Sequence, residues 1–348
     1  MPSPAPRRRA VRRSPLRRVW DRISTTAAVA AVALVVAGGL AAVVASATGL
    51  GPRELDRELS QGGAAAIAVA YAWAVAARTG GRPFVFGALA LLLGVAVVAL
   101  DRDFLATGAA MTTSVVAAVL AVLVTIPAVT LVRAVREVLV AVVVAGIGAV
   151  ATVGFEPAVS VSRFEYGSLG LAVVTALALV YRLGAGLHGL GRRGLVAVLV
   201  GGAVLAVILA YAELLRRYGT PGLVESMFDG VQWSRERLGA FPRPLEAVLG
   251  IPALMWGAHM RARRRQGWWV CVFGVAATSP IATSLVRTSV TRTEASLATA
   301  YALVVGMVIG FLLIRADLWL IGSRGRRGTR AEEASALRPE PSRISPLL

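Results

Sequence analysis

Lysine is absent from this chain of 348 residues, cysteine occurs once, histidine twice, and only 16% of the residues are charged. Each shortage excludes something. A single cysteine, Cys271, cannot form an internal disulfide and leaves no basis for a cysteine-ligated metal. Without lysine, and with no strand ahead of any glycine run, there is no phosphate-binding loop of the nucleotide-hydrolysing kind. His188 and His259 stand far apart in sequence and would have to converge to hold a haem or metal, whereas a lone His near a membrane face is the commoner case. No cofactor and no metal are therefore expected. The 37 basic residues, all arginine, outnumber 19 acids and give a net charge of +18. Zinc spacings, helix-turn-helix patterns and RNA-binding signatures are also missing, so this basicity implies no nucleic-acid partner.

What abounds is apolar. Hydrophobic residues make up 57% of the chain and the mean hydropathy is +0.71, against about 45–50% apolar in soluble domains. A membrane helix needs about 20 mostly apolar residues. Ten runs approach that length: Thr26–Gly49, Gly62–Ala77, Phe84–Leu100, Thr107–Val132, Val138–Phe155, Ser168–Leu187, Leu195–Glu213, Leu245–Met260, Trp268–Val286 and Leu297–Ile314. They are too long for strands and lack the alternation of a barrel. The expected fold class is all-α, a polytopic integral membrane bundle of about ten transmembrane helices.

Charge placement orients it. With the N-terminus inside, the inner segments hold 26 arginines against six acids, and the outer ones 11 against 13. Arginine-rich loops stay on the cytoplasmic side, so both termini are expected in the cytoplasm of a bacterial cell, with the spans in its plasma membrane. Residues 1–22 and 323–348, rich in Arg, Pro and Ser, read as disordered tails flanking a transmembrane domain at 23–322. The tails would meet anionic lipid at the inner face. Ala45-Ser46-Ala47 has the form of a signal-peptide cleavage site, but the apolar run before it exceeds the usual 7–15 residues.

The longest connection, residues 214–244, falls outside. At 100° per residue, Glu225, Asp229, Gln232 and Glu236 share one helical face, while Leu223, Val224, Met227, Phe228, Val231 and Leu238 share the other. Trp233 lies in the same stretch. This pattern fits a helix lying in the outer interface, capping the bundle or presenting a docking surface for a partner protein. Pro242 and Pro244 end it.

Polar groups inside the spans are few, and such groups mark functional paths. The ninth run is the most polar, with Thr278-Ser279-Pro280 and Thr283-Ser284. Pro280 frees backbone groups that nearby hydroxyls can satisfy, and broken helices of this kind line transport paths. Thr125, Pro127 and Thr130 form a similar set in the fourth run, and Pro252 breaks the eighth. Gly38-Gly39, Gly146 with Gly148, and Gly201-Gly202 suit close helix packing.

Acids on the outer side form a second candidate. Glu54-Leu55-Asp56 follows the first span, and Asp101-Arg102-Asp103 joins the third to the fourth. Two acids at i, i+2 in a turn can share a cation or supply a general base. The placement of Glu54 and Asp56 resembles membrane glycosyltransferases that use polyprenyl-phosphate sugars. The resemblance covers three residues and the span count. It implies a catalytic role for these acids, with Asp101 and Asp103 on the same face. The aromatic-rich outer loops and large outer domain of that class are missing. The arginines beside both pairs offer local ion pairs instead.

Three functional readings follow, in order of preference. The first is permease-like transport of a small molecule or lipid, along Thr278–Ser284 with Thr125 and Pro127. The second is a non-catalytic envelope assembly component. The third is a membrane glycosyltransferase.

Overall fold

The computed structural model describes residues 15–183, 191–218, 221–264, 266–287, 289–321, 340–343 and 345–347. All regular structure among them is helical. The chain runs through α1 (Pro15–Ala47), α2 (Asp56–Arg78), α3 (Pro83–Leu100), α4 (Asp103–Leu123), α5 (Leu131–Gly154), α6 (Val161–Leu183), α7 (Gly191–Tyr218) and α8 (Pro221–Leu238). A π-helical turn, Leu245–Gly250, leads into α9 (Ile251–Arg261). Then follow α10 (Gly267–Cys271), a 3-10 turn at Val272–Gly274, α11 (Val275–Val286) and α12 (Arg292–Ile321). Among the described residues, nine helices are long and apolar enough to cross a membrane, which marks a multi-pass helical membrane protein. The run at Leu245–Met260 is not one of the nine.

The fourth run is divided differently from its reading in sequence. α4 stops at Leu123, and Val124–Thr130 forms a connection rather than the end of a span. Proline disfavours the helical region for the residue before it and has no N–H to donate, so Pro127 ends the helix instead of kinking it. Thr125 turns its hydroxyl onto the Val122 carbonyl at 2.7 Å. Thr130 caps α5 by accepting from the Arg133 N–H. Thr125, Pro127 and Thr130 therefore lie at one end of the bundle, not in the middle of a span. The tails differ too. α1 begins at Pro15, inside the segment read as a disordered tail. Of the C-terminal tail, Glu340–Arg343 and Ser345–Leu347 are described, and they pack against the bundle. Residues 1–14 and 322–339 lie outside the described residues.

Burial separates a centre from a rim. The Gly267–Val286 stretch is 89% buried, against 17% for α3 and 11% for the Gly194–Tyr211 part of α7. Phe84, Leu92, Leu199 and Val308 stand exposed on rim helices. Exposed apolar rows of this extent suit lipid rather than water. The centre holds α4, α5, α9 and α11 around Leu123, Val138, Leu254, Met255 and Val275.

Close approach needs glycine, and of each adjacent or near pair one member makes it. A Cβ on Gly39 would lie 2.6 Å from the Gly63 carbonyl oxygen of α2, whereas one on Gly38 would meet nothing within 4 Å. Gly148 against Ala117 and Gly201 against Phe273 repeat the pattern, with Gly146 and Gly202 open.

The two ends of the bundle are stitched separately. At one end Ser60 donates to the Gly154 carbonyl, Arg57 pairs with Asp101, and Arg287 pairs with Glu165. At the other, Arg78 donates to the Leu123 carbonyl, and the Val124–Thr130 connection is tied to the end of α9. This second end carries Arg133, Arg136, Arg261, Arg263 and Arg264.

Candidate functional site

The acids expected on the outer side sit at the ends of α2, α3 and α4. Arg57 binds Asp101 at 2.6 Å, with both side chains about half exposed. Asp101 ends α3 in the left-handed conformation (φ 46°), which Asp tolerates better than most residues. Asp103 opens α4, and Asp56 opens α2 after the 3-10 turn that holds Glu54. Among the described residues no group of three or more His, Cys, Asp or Glu side chains could hold a metal. Exposed pairs contribute little, so Arg57→Ala is expected to lower stability by less than about 1 kcal/mol in reversible detergent unfolding.

The ninth-run hydroxyls are all buried in α11. Thr278 donates to the Ala118 carbonyl of α4 at 3.1 Å, and Ser284 donates to Ile281 at 2.7 Å. Thr283 reaches the Ser279 carbonyl. They are thus spent on backbone acceptors, as hydroxyls in apolar helices commonly are. The Ser279 hydroxyl has no partner among the described residues.

The breaks in the eighth and ninth runs meet. Pro252 has no N–H to return to Val248, and the turn before it widens to a π-turn, with the Ile251 N–H bonding the Glu246 carbonyl. Gly250 in that turn lies against the backbone of Ala276 and Ala277. Arg243 spans both breaks: one nitrogen donates to Glu246 at 2.7 Å and to the Pro280 carbonyl at 3.2 Å. Glu246 is fully buried. Its place at the edge of an apolar run gave no sign of that in sequence. Glu137 at the opposite end was missed in the same way and is also buried.

A cavity lies beside this broken element. It is a groove of about 740 Å³ between α7, the π-turn with α9, and α12. Val196, Val200 and Val204 of α7 form one apolar wall, with Val248, Leu249 and Pro252 opposite. One end is polar, where Arg264, Gln266 and Asp317 gather. Trp256 also lines it, and its indole N–H is buried without a partner among the described residues. A buried donor normally has an acceptor.

The helix expected on the outer side is α8, with Glu225, Asp229, Glu236 and Trp233 exposed. The side chains of Leu223, Val224, Met227 and Phe228 lie outside the described residues. α8 is tied to α12: Arg235 pairs with Glu294 at 3.0 Å, and the Tyr301 hydroxyl donates to the Leu238 carbonyl at 2.7 Å. His188 lies outside the described residues. His259 is buried, 3.0 Å from the Ala128 carbonyl.

No known protein family, curated protein or solved structure matches this chain.

Proposed function

We propose that the protein is a permease-like membrane protein that binds and moves a lipid-like amphipathic molecule, and that the groove between α7, α9 and α12 receives it. The observation that carries this reading is the groove's make-up. A long apolar trough ends in arginine, glutamine and aspartate, and one indole N–H sits unpaired along its wall. Apolar walls with a few convergent polar groups are what a ligand site of this volume normally presents. An acyl chain would fill the trough, an ester oxygen would take the Trp256 N–H, and a headgroup would lie at Arg264 and Asp317. The junction of the two broken elements beside the groove supplies the part that would move, since discontinuous helices are the usual seat of transport sites. This shifts the proposed path from the α11 hydroxyls toward the groove.

The proposed setting is a bacterial plasma membrane crossed ten times, with Leu245–Arg261 as the short crossing. Both termini would face the cytoplasm among anionic lipids. The separation of 26 arginines and six acids from 11 and 13 supports this orientation.

Ala197 is half-buried on the groove wall. Ala197→Trp is expected to fill the trough and leave the fold intact. Native mass spectrometry from mild detergent should find phospholipid retained on the wild-type protein and lost from this variant at unchanged melting temperature. Equal retention by both would refute the groove as the binding site.

A further inference from the structure

A second set of buried polar groups lies on the other side of α9. Arg78 and Arg261 are each about 1% exposed. Both reach the same connection: Arg78 Nε donates to the Leu123 carbonyl at 3.0 Å, and Arg261 donates to the Thr125 hydroxyl at 2.7 Å and carbonyl at 3.0 Å. The Arg261 guanidinium also lies over the Trp268 ring, 3.5 Å from its centroid. None of these partners carries negative charge. Burying a guanidinium without an anion is costly, and here two are buried side by side.

The described end of the chain answers that demand with oxygens. Glu340 binds Arg261 at 2.5 Å. The Ser342 and Ser345 carbonyls accept from Arg78 Nη1 at 2.6 and 2.8 Å. Arg343 turns the other way and holds Glu137 through both of its terminal nitrogens. Even so, Arg78 Nη2 stays buried without a partner among the described residues, and a cavity of about 340 Å³ remains between the segment, Ile126, Pro127 and Arg133. A carboxylate on the Arg261 fork and two carbonyl oxygens on Arg78 Nη1 imitate the oxygens of a phosphate group, the anion that arginine binds well.

We propose that Arg78, Arg261 and Thr125 form a binding site for a phosphate group, and that the described segment of Glu340–Arg343 and Ser345–Leu347 occupies it as a built-in competitor. The site shares no residue with the groove and does not depend on the groove's role. The phosphate could belong to an anionic lipid headgroup or be free in solution.

The test keeps the full chain. Glu340→Gln with Arg343→Gln removes the two charged anchors of the segment and leaves the cradle untouched. Inorganic phosphate is titrated calorimetrically, and retention of phosphatidylglycerol over phosphatidylcholine is read by native mass spectrometry. The double variant is expected to bind one of these at least about tenfold more tightly than wild type. Adding Arg78→Gln should reverse the gain at an unchanged elution profile. Phosphate binding with no lipid preference identifies a soluble ligand, and the converse identifies a headgroup. No gain with either probe, or a gain that survives Arg78→Gln, overturns the proposal.

Discussion

Gly250→Leu is expected to prevent the Leu245–Gly250 turn and α11 from packing and to leave little folded protein. A Cβ at this position would lie 2.6 Å from the Ala276 carbonyl carbon and from the Ala277 Cα, and closer still to the Ala277 nitrogen. These are backbone atoms in the most buried stretch of the molecule, so no side chain can swing aside. Overpacking typically costs about 1–3 kcal/mol when side chains alone must adjust. Here the turn and α11 must separate, which would also strip Arg243 from the Pro280 carbonyl and expose the fully buried Glu246. A loss above about 3 kcal/mol is expected, enough to exhaust much of a marginal stability. Gly146→Leu is the control, since a Cβ there meets nothing within 4 Å. Yield and thermal melting in detergent should fall sharply for the first variant and barely for the second.

Arg261→Met is expected to be the most damaging change at the arginine-rich end. It keeps an unbranched apolar stem but deletes every polar contact the guanidinium makes. The Thr125 hydroxyl and carbonyl lose their donor, Glu340 loses its ion pair, and the Trp268 face loses a cation. Removing one partner of a buried charged network costs about 3–5 kcal/mol. Glu340 is partly exposed and can recover some hydration, so the lower part of that range, about 3 kcal/mol, is expected. Arg261→Lys should recover only part of it, because an ammonium cannot fork between two acceptors or stack as flatly on an indole. Reversible unfolding in mixed detergent measures both.

Much of the fold was legible because membrane helices announce themselves by length and apolarity. The rim helices α3 and α7 match their sequence runs to within a few residues at most ends. The fourth run failed for a specific reason. Val124, Ile126 and Val129 are apolar, so hydropathy continues through the connection as if no helix had ended there. Pro127 was the available signal, and it reads equally as a kink or a stop. The functional groups were harder. Glu137, Glu246, Arg78 and Arg261 sit where apolar runs end, the usual place for solvated or snorkelling charges. Their burial is produced by partners remote in sequence: Arg78 meets Ser342, 264 residues away, and Arg261 meets Glu340, 79 residues away. No periodicity within one run encodes that. The groove was equally hidden, because its walls come from helices with uniformly apolar sequences, and what distinguishes them is the space left between α7 and the short broken element.

The hydroxyl-rich ninth run teaches the converse. Thr278, Ser279, Thr283 and Ser284 form the polar cluster that stood out in sequence, yet Thr278, Thr283 and Ser284 each donate to a backbone carbonyl, which leaves Ser279 alone of the four without a partner among the described residues. Most of that cluster is spent inside the bundle, whereas the Trp256 N–H stands unpaired among the described residues on the wall of a groove.

The central claim is that an amphipathic molecule passes by way of the groove, and flux tests it most directly. Proteoliposomes carrying the wild-type protein and a fluorescent phospholipid in both leaflets would be exposed to an impermeant quencher, and the fraction of label reached would be followed over time. The account predicts loss of label beyond the outer-leaflet half with wild-type protein, and protein-free behaviour with Ala197→Trp. Quenching that stops at the outer leaflet with wild-type protein, or flux untouched by Ala197→Trp, would contradict it.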